Sequence, residues 1–248
     1  MYNPFSLERK KILVTGASSG IGRSTAIECS KLGAQIYVLG RNKTKLEETL
    51  SLLEGNNNDV VIADLEDFSC LDNIVELVDS LDGYVSNAGF TITSPLNFIK
   101  EEQLTQLMKV NTISPIILLQ KLLKKKKLNK NASVVFTSSL AGISTCTYGN
   151  SMYSATKGAI SAFVRNAAID LAPKNIRVNA VCPGMVNTNI LSSGTIDEEQ
   201  LKEDLKNYPL GRYGDPKDVA LGIVYLLSEA SSWVTGTNMV IDGGVSIK

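Results

Sequence analysis

The chain of 248 residues contains no histidine. That absence excludes a Ser-His-Asp or Cys-His nucleophile, a histidine-ligated zinc and an HExxH metalloprotease. Proton transfer must then fall to Tyr, Lys, Cys, a carboxyl group or water. Cysteine is scarce as well. Cys29, Cys70, Cys146 and Cys182 are far apart and form no CxxC pair. This spacing argues against a zinc ribbon or a thioredoxin-type centre and predicts buried, reduced thiols and no metal. Met1 to Lys11 lacks the apolar run of a signal peptide, and no later stretch approaches the roughly 20 apolar residues of a membrane span. The expected setting is cytoplasmic, without a membrane partner. Charge of one sign is not in excess either: Lys plus Arg and Asp plus Glu each total 25. The electrostatic case for nucleic acid is therefore missing.

What remains is 44% hydrophobic and 20% charged, the composition of a soluble globular protein. The length suits one large domain or two small ones. Strand-length apolar runs alternate with segments of helical period. Expected strands are Lys11 to Thr15, Gln35 to Leu39, Val60 to Ala63, Gly83 to Ser86, Ala132 to Ser138, Ile176 to Val181 and Asn238 to Ile241. Ile21 to Leu32 reads as a helix closed by Gly33, Thr44 to Glu54 as a charged helix, and a long helix begins near Glu101. This alternation predicts an α/β fold, a parallel sheet covered by helices on both faces. No internal repeat or low-complexity linker divides the chain, so residues 1–248 are expected to form a single domain. Lys124-Lys125-Lys126-Lys127 falls near the end of the long helix. There it complements the helix dipole, or alternatively forms a docking patch for an acidic partner.

Two constellations carry chemistry. Thr15-Gly16-Ala17-Ser18-Ser19-Gly20-Ile21-Gly22 lies between the first strand and its helix, where glycines permit a tight turn and unpaired helix N–H groups can meet a pyrophosphate. A Walker loop is a near miss, because Ala17 and Arg23 stand where its first Gly and its Lys belong. The second strand ends Gly40-Arg41-Asn42, without the usual ribose-binding carboxylate. Arg41 could instead pair with a 2′-phosphate, favouring NADP(H) over NAD(H). An Arg on a solvated loop is the alternative. The second constellation is Tyr153-Ser154-Ala155-Thr156-Lys157. Side chains four apart share a helix face, so the Lys157 ammonium can approach the Tyr153 phenol and lower its pKa, making a usable acid/base. Tyr148 has Met152 at that spacing and no such partner.

Together with Asp64-Leu65, Ser86-Asn87-Ala88-Gly89, Lys109-Val110-Asn111, Ser138-Ser139-Leu140-Ala141-Gly142, Asn179-Ala180-Val181-Cys182-Pro183-Gly184 and Ile241-Asp242-Gly243-Gly244, these motifs resemble the short-chain dehydrogenase/reductase family from about Arg9 to Gly244. Ser86 stands where the family usually has Asn. The resemblance implies a single-domain Rossmann fold, a doubly wound, seven-stranded parallel sheet. It also implies an oxidoreductase in which Tyr153 is the general acid, Ser139 binds the substrate oxygen, Lys157 holds the nicotinamide ribose and tunes Tyr153, and Asn111 supports a water relay. Ser138 competes for the serine role, but Ser139 has the SxxG relation to Gly142.

By the same resemblance, the cofactor contacts are Gly16, Ser18, Ser19, Gly20, Ile21, Gly22, Arg41, Asn42, Asp64, Leu65, Asn87, Ala88, Gly89, Tyr153, Lys157, Pro183, Gly184, Val186 and Thr188. The chain looks most like the 3-oxoacyl-(acyl-carrier-protein) reductases, which would make the substrate a small or carrier-linked carbonyl compound and give the lysine run, with Lys174, an acidic carrier to meet. Sugar, polyol or steroid dehydrogenases share the scaffold, and a non-catalytic dinucleotide-binding regulator is the remaining alternative. Residues 189–208 are expected to form a substrate lid. Phe90, Ile143, Met185 and Ile190 have two readings, as pocket surface or as core. A homotetramer or homodimer is expected from the resemblance alone.

Overall fold

A computed structural model describes residues 2–188 and 203–248. Seven parallel strands form one sheet: β1 (Lys11–Thr15), β2 (Gln35–Gly40), β3 (Asp59–Ile62), β4 (Leu81–Ser86), β5 (Leu128–Thr137), β6 (Arg177–Pro183) and β7 (Asn238–Ile241), in the order β3-β2-β1-β4-β5-β6-β7. The chain winds outward from β1 to β3, then restarts beside β1 at β4. That reversal opens a crevice at the carboxyl ends of β1 and β4, where ligands of open α/β sheets bind.

The helices are α1 (Gly20–Lys31), α2 (Lys43–Ser51), α3 (Cys70–Leu77), α4 (Glu101–Met108), α5 (Ser114–Lys124), α6 (Ser151–Leu171) and α7 (Pro216–Leu227). The strand period of two divides the core. Leu13, Tyr84, Val134, Phe136 and Val178 face one helical layer, while Ile12, Val14, Val85, Val135 and Val181 face the other, with α1 and α7. On the first face Phe136 meets Tyr84 and Phe163 edge-on, at ring-centroid distances of 6.2 and 5.7 Å. Both faces of the central strands are buried, which explains their near-continuous apolar runs.

Gly33 closes α1 at φ +91° and donates to the Ser30 carbonyl, as expected of a glycine after a helix. The long helix beginning at Glu101 is present but carries a π turn over Lys109–Ile113 between α4 and α5. Hydrophobic period alone does not reveal such an insertion. β5 starts at Leu128, before the expected Ala132, with Asn131 at φ +67° inside it.

The cysteines differ from expectation. Cys29 and Cys182 are buried, but Cys70 is half-exposed at the start of α3 and Cys146 is exposed on a loop. All four are free. Among the described residues no helix is long and apolar enough to cross a membrane. Ile190 and residues 189–202 of the expected lid at 189–208 lie outside the described residues.

Candidate active site

The glycine loop is closed by contact rather than by sequence preference alone. Gly16 adopts φ +66°, and a Cβ there would lie 2.8 Å from the Ala88 Cα. A Cβ on Gly22 would lie 2.3 Å from the Gly16 carbonyl oxygen. Thr15 supports the same junction: its hydroxyl donates to the Val85 carbonyl at 3.3 Å and accepts from the N–H groups of Asn87 and Ala88 at 3.0 and 3.1 Å. Arg23 braces the loop from outside, donating to the Ser18 carbonyl at 2.7 Å and to the Thr49 hydroxyl at 2.9 Å. Ser19 precedes α1 without making a side-chain capping bond, so the opening N–H groups of the helix are left for a ligand. This tight glycine cradle at a helix N-terminus fits a nicotinamide dinucleotide.

Around the cradle, the Asn87 side chain accepts from the Thr137 hydroxyl at 3.1 Å and joins β4 to β5. Arg41 and Asp64 are exposed and face each other at 3.8 Å. The Asn42 side-chain oxygen accepts from the Lys45 N–H at 3.0 Å and caps α2, which leaves its amide nitrogen and the second lone pair of the oxygen for a cofactor. Leu65 is buried, and its carbonyl accepts from the Ser114 hydroxyl. On the far side, the Gly184 N–H bonds the Ile241 carbonyl at 3.0 Å, and Val186 is buried in a bridge to Gly214. The Thr188 methyl lies 3.2 Å from where a Gly20 Cβ would be. The loop after β6 therefore reaches the glycine turn after β1.

At the carboxyl end of β5, the two serines separate by environment. Ser138 is 2% exposed, donates to the Lys157 carbonyl at 2.9 Å and lies 2.7 Å from the Ser161 hydroxyl. Ser139 is partly exposed, accepts from the Ala141 N–H at 3.2 Å and hydrogen-bonds Tyr153. The serine adjoining the phenol is thus Ser139.

Lys157 is buried, and its ammonium donates to the Thr137 carbonyl at 2.6 Å, 5.7 Å from the centre of the Tyr153 ring. Burial lowers its pKa to about 8. The Tyr153 pKa is raised, because burial outweighs the bond from Ser139. This corrects the expected lysine-driven lowering: the ammonium is engaged by a backbone carbonyl instead of the phenol, and desolvation dominates. A raised pKa keeps Tyr153 protonated, the form an acid requires.

Asn111 sits in the π turn and is 2% exposed. Its amide donates to the Phe90 carbonyl at 2.8 Å and to the Thr156 hydroxyl at 3.2 Å, while its oxygen accepts from the Phe90 N–H at 3.1 Å. The Asn111 side chain is thereby committed to Phe90 and Thr156. Sequence reasoning missed Thr15 and Thr137, whose signal is their place at strand ends beside the glycine and serine motifs. Gly142 also has a physical reason: a Cβ there would lie 2.6 Å from the Lys157 carbonyl carbon.

A family profile described as enoyl-(acyl carrier protein) reductase matches residues 16–246. The chain belongs to the short-chain dehydrogenase/reductase family. As a member it is an NAD(P)-dependent oxidoreductase. Glucose 1-dehydrogenase of Gluconobacter oxydans is 33% identical over 96% of this chain and 92% of its own length. The 3-oxoacyl-(acyl-carrier-protein) reductase of Rickettsia bellii is 30% identical over 96% and 98%. A structure from Agrobacterium tumefaciens, described provisionally as a 2-deoxy-D-gluconate 3-dehydrogenase with bound NADP, superimposes with a TM-score of 0.90 at 29% identity, covering 100% of both chains.

The lysine run lies away from this family site. Lys127 donates to the Val78 carbonyl, Lys121 pairs with Asp72 at 2.7 Å and Lys125 with Glu76 at 3.0 Å. These groups sit where β5 begins, whereas Ser139 follows its end. Because β5 is irregular at Asn131, Leu128 to Phe136 covers only the Leu81 to Ser86 stretch of β4, and the two lie roughly 20 Å apart along the sheet at about 3.3 Å per step.

Proposed function

We propose that this short-chain dehydrogenase/reductase is an NADP-dependent carbonyl reductase or secondary-alcohol dehydrogenase. The convergence of Ser139, Tyr153 and Lys157 beside the glycine cradle carries this reading. A bound nicotinamide dinucleotide supplies or accepts the hydride. Ser139 positions the substrate oxygen by hydrogen bond, and Tyr153 delivers the proton that converts it to hydroxyl. Lys157 holds the nicotinamide ribose and reprotonates the phenolate, with water at Asn111 completing the relay. The glycine loop binds the pyrophosphate, Asp64 the adenine, and Asn87 to Gly89 the adenosine ribose. Pro183, Gly184, Val186 and Thr188 enclose the nicotinamide end.

Arg41 is the group for a 2′-phosphate, because its long contact with Asp64 leaves the guanidinium fork available. The NADP in the Agrobacterium structure supports this preference. Replacement of Arg41 by Ala is expected to raise KM for NADPH by about ten-fold, a loss of roughly 1.4 kcal/mol, with a smaller effect for NADH. Equal effects on both cofactors would remove the assignment. Tyr153→Phe is expected to lower kcat by about 10²- to 10⁴-fold in steady-state assays. Wild-type turnover by that variant would remove the acid/base assignment.

A small-molecule substrate is favoured over a carrier-linked one docked through Lys124 to Lys127. A run at the opposite strand ends is badly placed to deliver an acyl group to Tyr153.

A further inference from the structure

The walls beside Tyr153 are built almost wholly from neutral side chains. Segments 87–99 and 138–156, which follow β4 and β5, contain no Asp, Glu, Lys or Arg in a chain that is 20% charged. The two loops are fastened to each other: Ser94 N–H bonds the Gly149 carbonyl at 2.8 Å, and the Thr91 hydroxyl donates to the Asn150 side-chain oxygen at 3.3 Å. The Thr93 methyl also lies 2.9 Å from where a Gly149 Cβ would be. They therefore form one continuous wall just before Tyr153 on α6. Residues 183–188, after β6, are uncharged as well.

Beyond these loops, several charges among the described residues are already matched. Arg212 holds Asp218 through bonds of 2.6 and 3.0 Å, and Lys206 pairs with Glu203. Asp242 accepts the N–H groups of Gly244 and Ser246, each at 2.9 Å. The Lys157 ammonium is taken by the Thr137 carbonyl at 2.6 Å.

We infer that the substrate is an uncharged carbonyl compound or alcohol whose polar substituents are neutral hydrogen-bonding groups, and that sugar acids, keto acids, phosphorylated sugars and amino ketones are disfavoured. This rests on the oxidoreductase assignment to the Tyr153 site. A carboxylate, phosphate or ammonium against segments 87–99, 138–156 and 183–188 loses hydration and gains no counter-ion from them. The polar side chains these two loops carry, among them Thr93, Ser144, Thr145, Thr147 and Asn150, are neutral hydrogen-bonding groups.

The test uses the wild-type protein with triads in which one substituent is neutral, anionic or cationic. One is 4-(hydroxymethyl)cyclohexanone, 4-oxocyclohexanecarboxylate and 4-(trimethylammonio)cyclohexanone, assayed with NADPH. The other is glucose, glucuronate and N,N,N-trimethylglucosamine, assayed with NADP. In any triad that turns over, the neutral member is expected to exceed each charged member in kcat/KM by roughly ten-fold or more. Comparable or higher kcat/KM for a charged member overturns the inference while leaving the oxidoreductase assignment intact. No turnover in either triad, or in a broader neutral ketone panel, counts against that assignment and overturns the inference with it.

Discussion

Lys157 is a buried ammonium held by a carbonyl, and its lowered pKa is a statement about stability as well as chemistry. The folded value is about 8 and the ordinary value 10.5. Below pH 8 both states carry the proton and the native state bears the desolvation cost. Between about 8 and 10.5 the unfolded chain binds the extra proton, so stability rises with pH. Lys157→Met is therefore expected to inactivate the enzyme yet stabilise the cofactor-free protein at pH 7 by about 1 to 3 kcal/mol, counted at roughly 1.36 kcal/mol per pKa unit. Urea titrations should show that gain shrinking above pH 8. A variant less stable than wild type at pH 7 would mean that the Thr137 bond outweighs desolvation. The YxxxK spacing made Tyr153 and Lys157 legible in sequence, because i and i+4 share a helix face. The direction of the Tyr153 shift was not legible, since desolvation depends on the layers that bury it.

Elements meet so closely around the site that Gly142 acts as a spacer between two of them. Gly142 lets the loop after β5 rest on the α6 backbone at Lys157, where a methyl has no room. Gly142→Ala is expected to displace Lys157 and lower both kcat and the thermal midpoint, with a stability loss of about 1 to 3 kcal/mol. An unchanged kcat would show that α6 can yield without moving its lysine. Asn42, expected from the resemblance to be a cofactor contact, also has a structural duty: its side-chain oxygen caps α2. Asn42→Ala should cost about 1 kcal/mol in denaturant unfolding. Sequence patterns located most of the expected element starts within about two residues, β5 excepted, but were blind to the π turn at Asn111, which arises where α4, α5 and α6 pack together and Asn111 reaches Phe90 and Thr156.

Across the whole molecule, the parallel sheet gives its two edges different work. Loops at the carboxyl ends gather the glycine turn, Ser139, Tyr153 and Thr188, while the amino ends carry Lys121 to Lys130 and their partners on α3. A Lys124→Glu/Lys126→Glu variant is thus expected to keep kcat/KM on a carrier-linked 3-oxoacyl substrate within about two-fold, since charges this far away lie beyond the roughly 10 Å screening length. A ten-fold loss would place a docking carrier at that edge. The sequence by itself determined the layered α/β architecture, because its strand runs, helical periods and turn glycines are local properties of a few residues each. It also set Tyr153 and Lys157 one helical turn apart on the same face. Only the tertiary structure decided that Ser139 and not Ser138 meets the phenol, that the Asn111 side chain is spent on packing, and that the lysine run faces away from the site. Those outcomes depend on which groups distant segments bury or leave exposed, and burial is a property of the assembled layers.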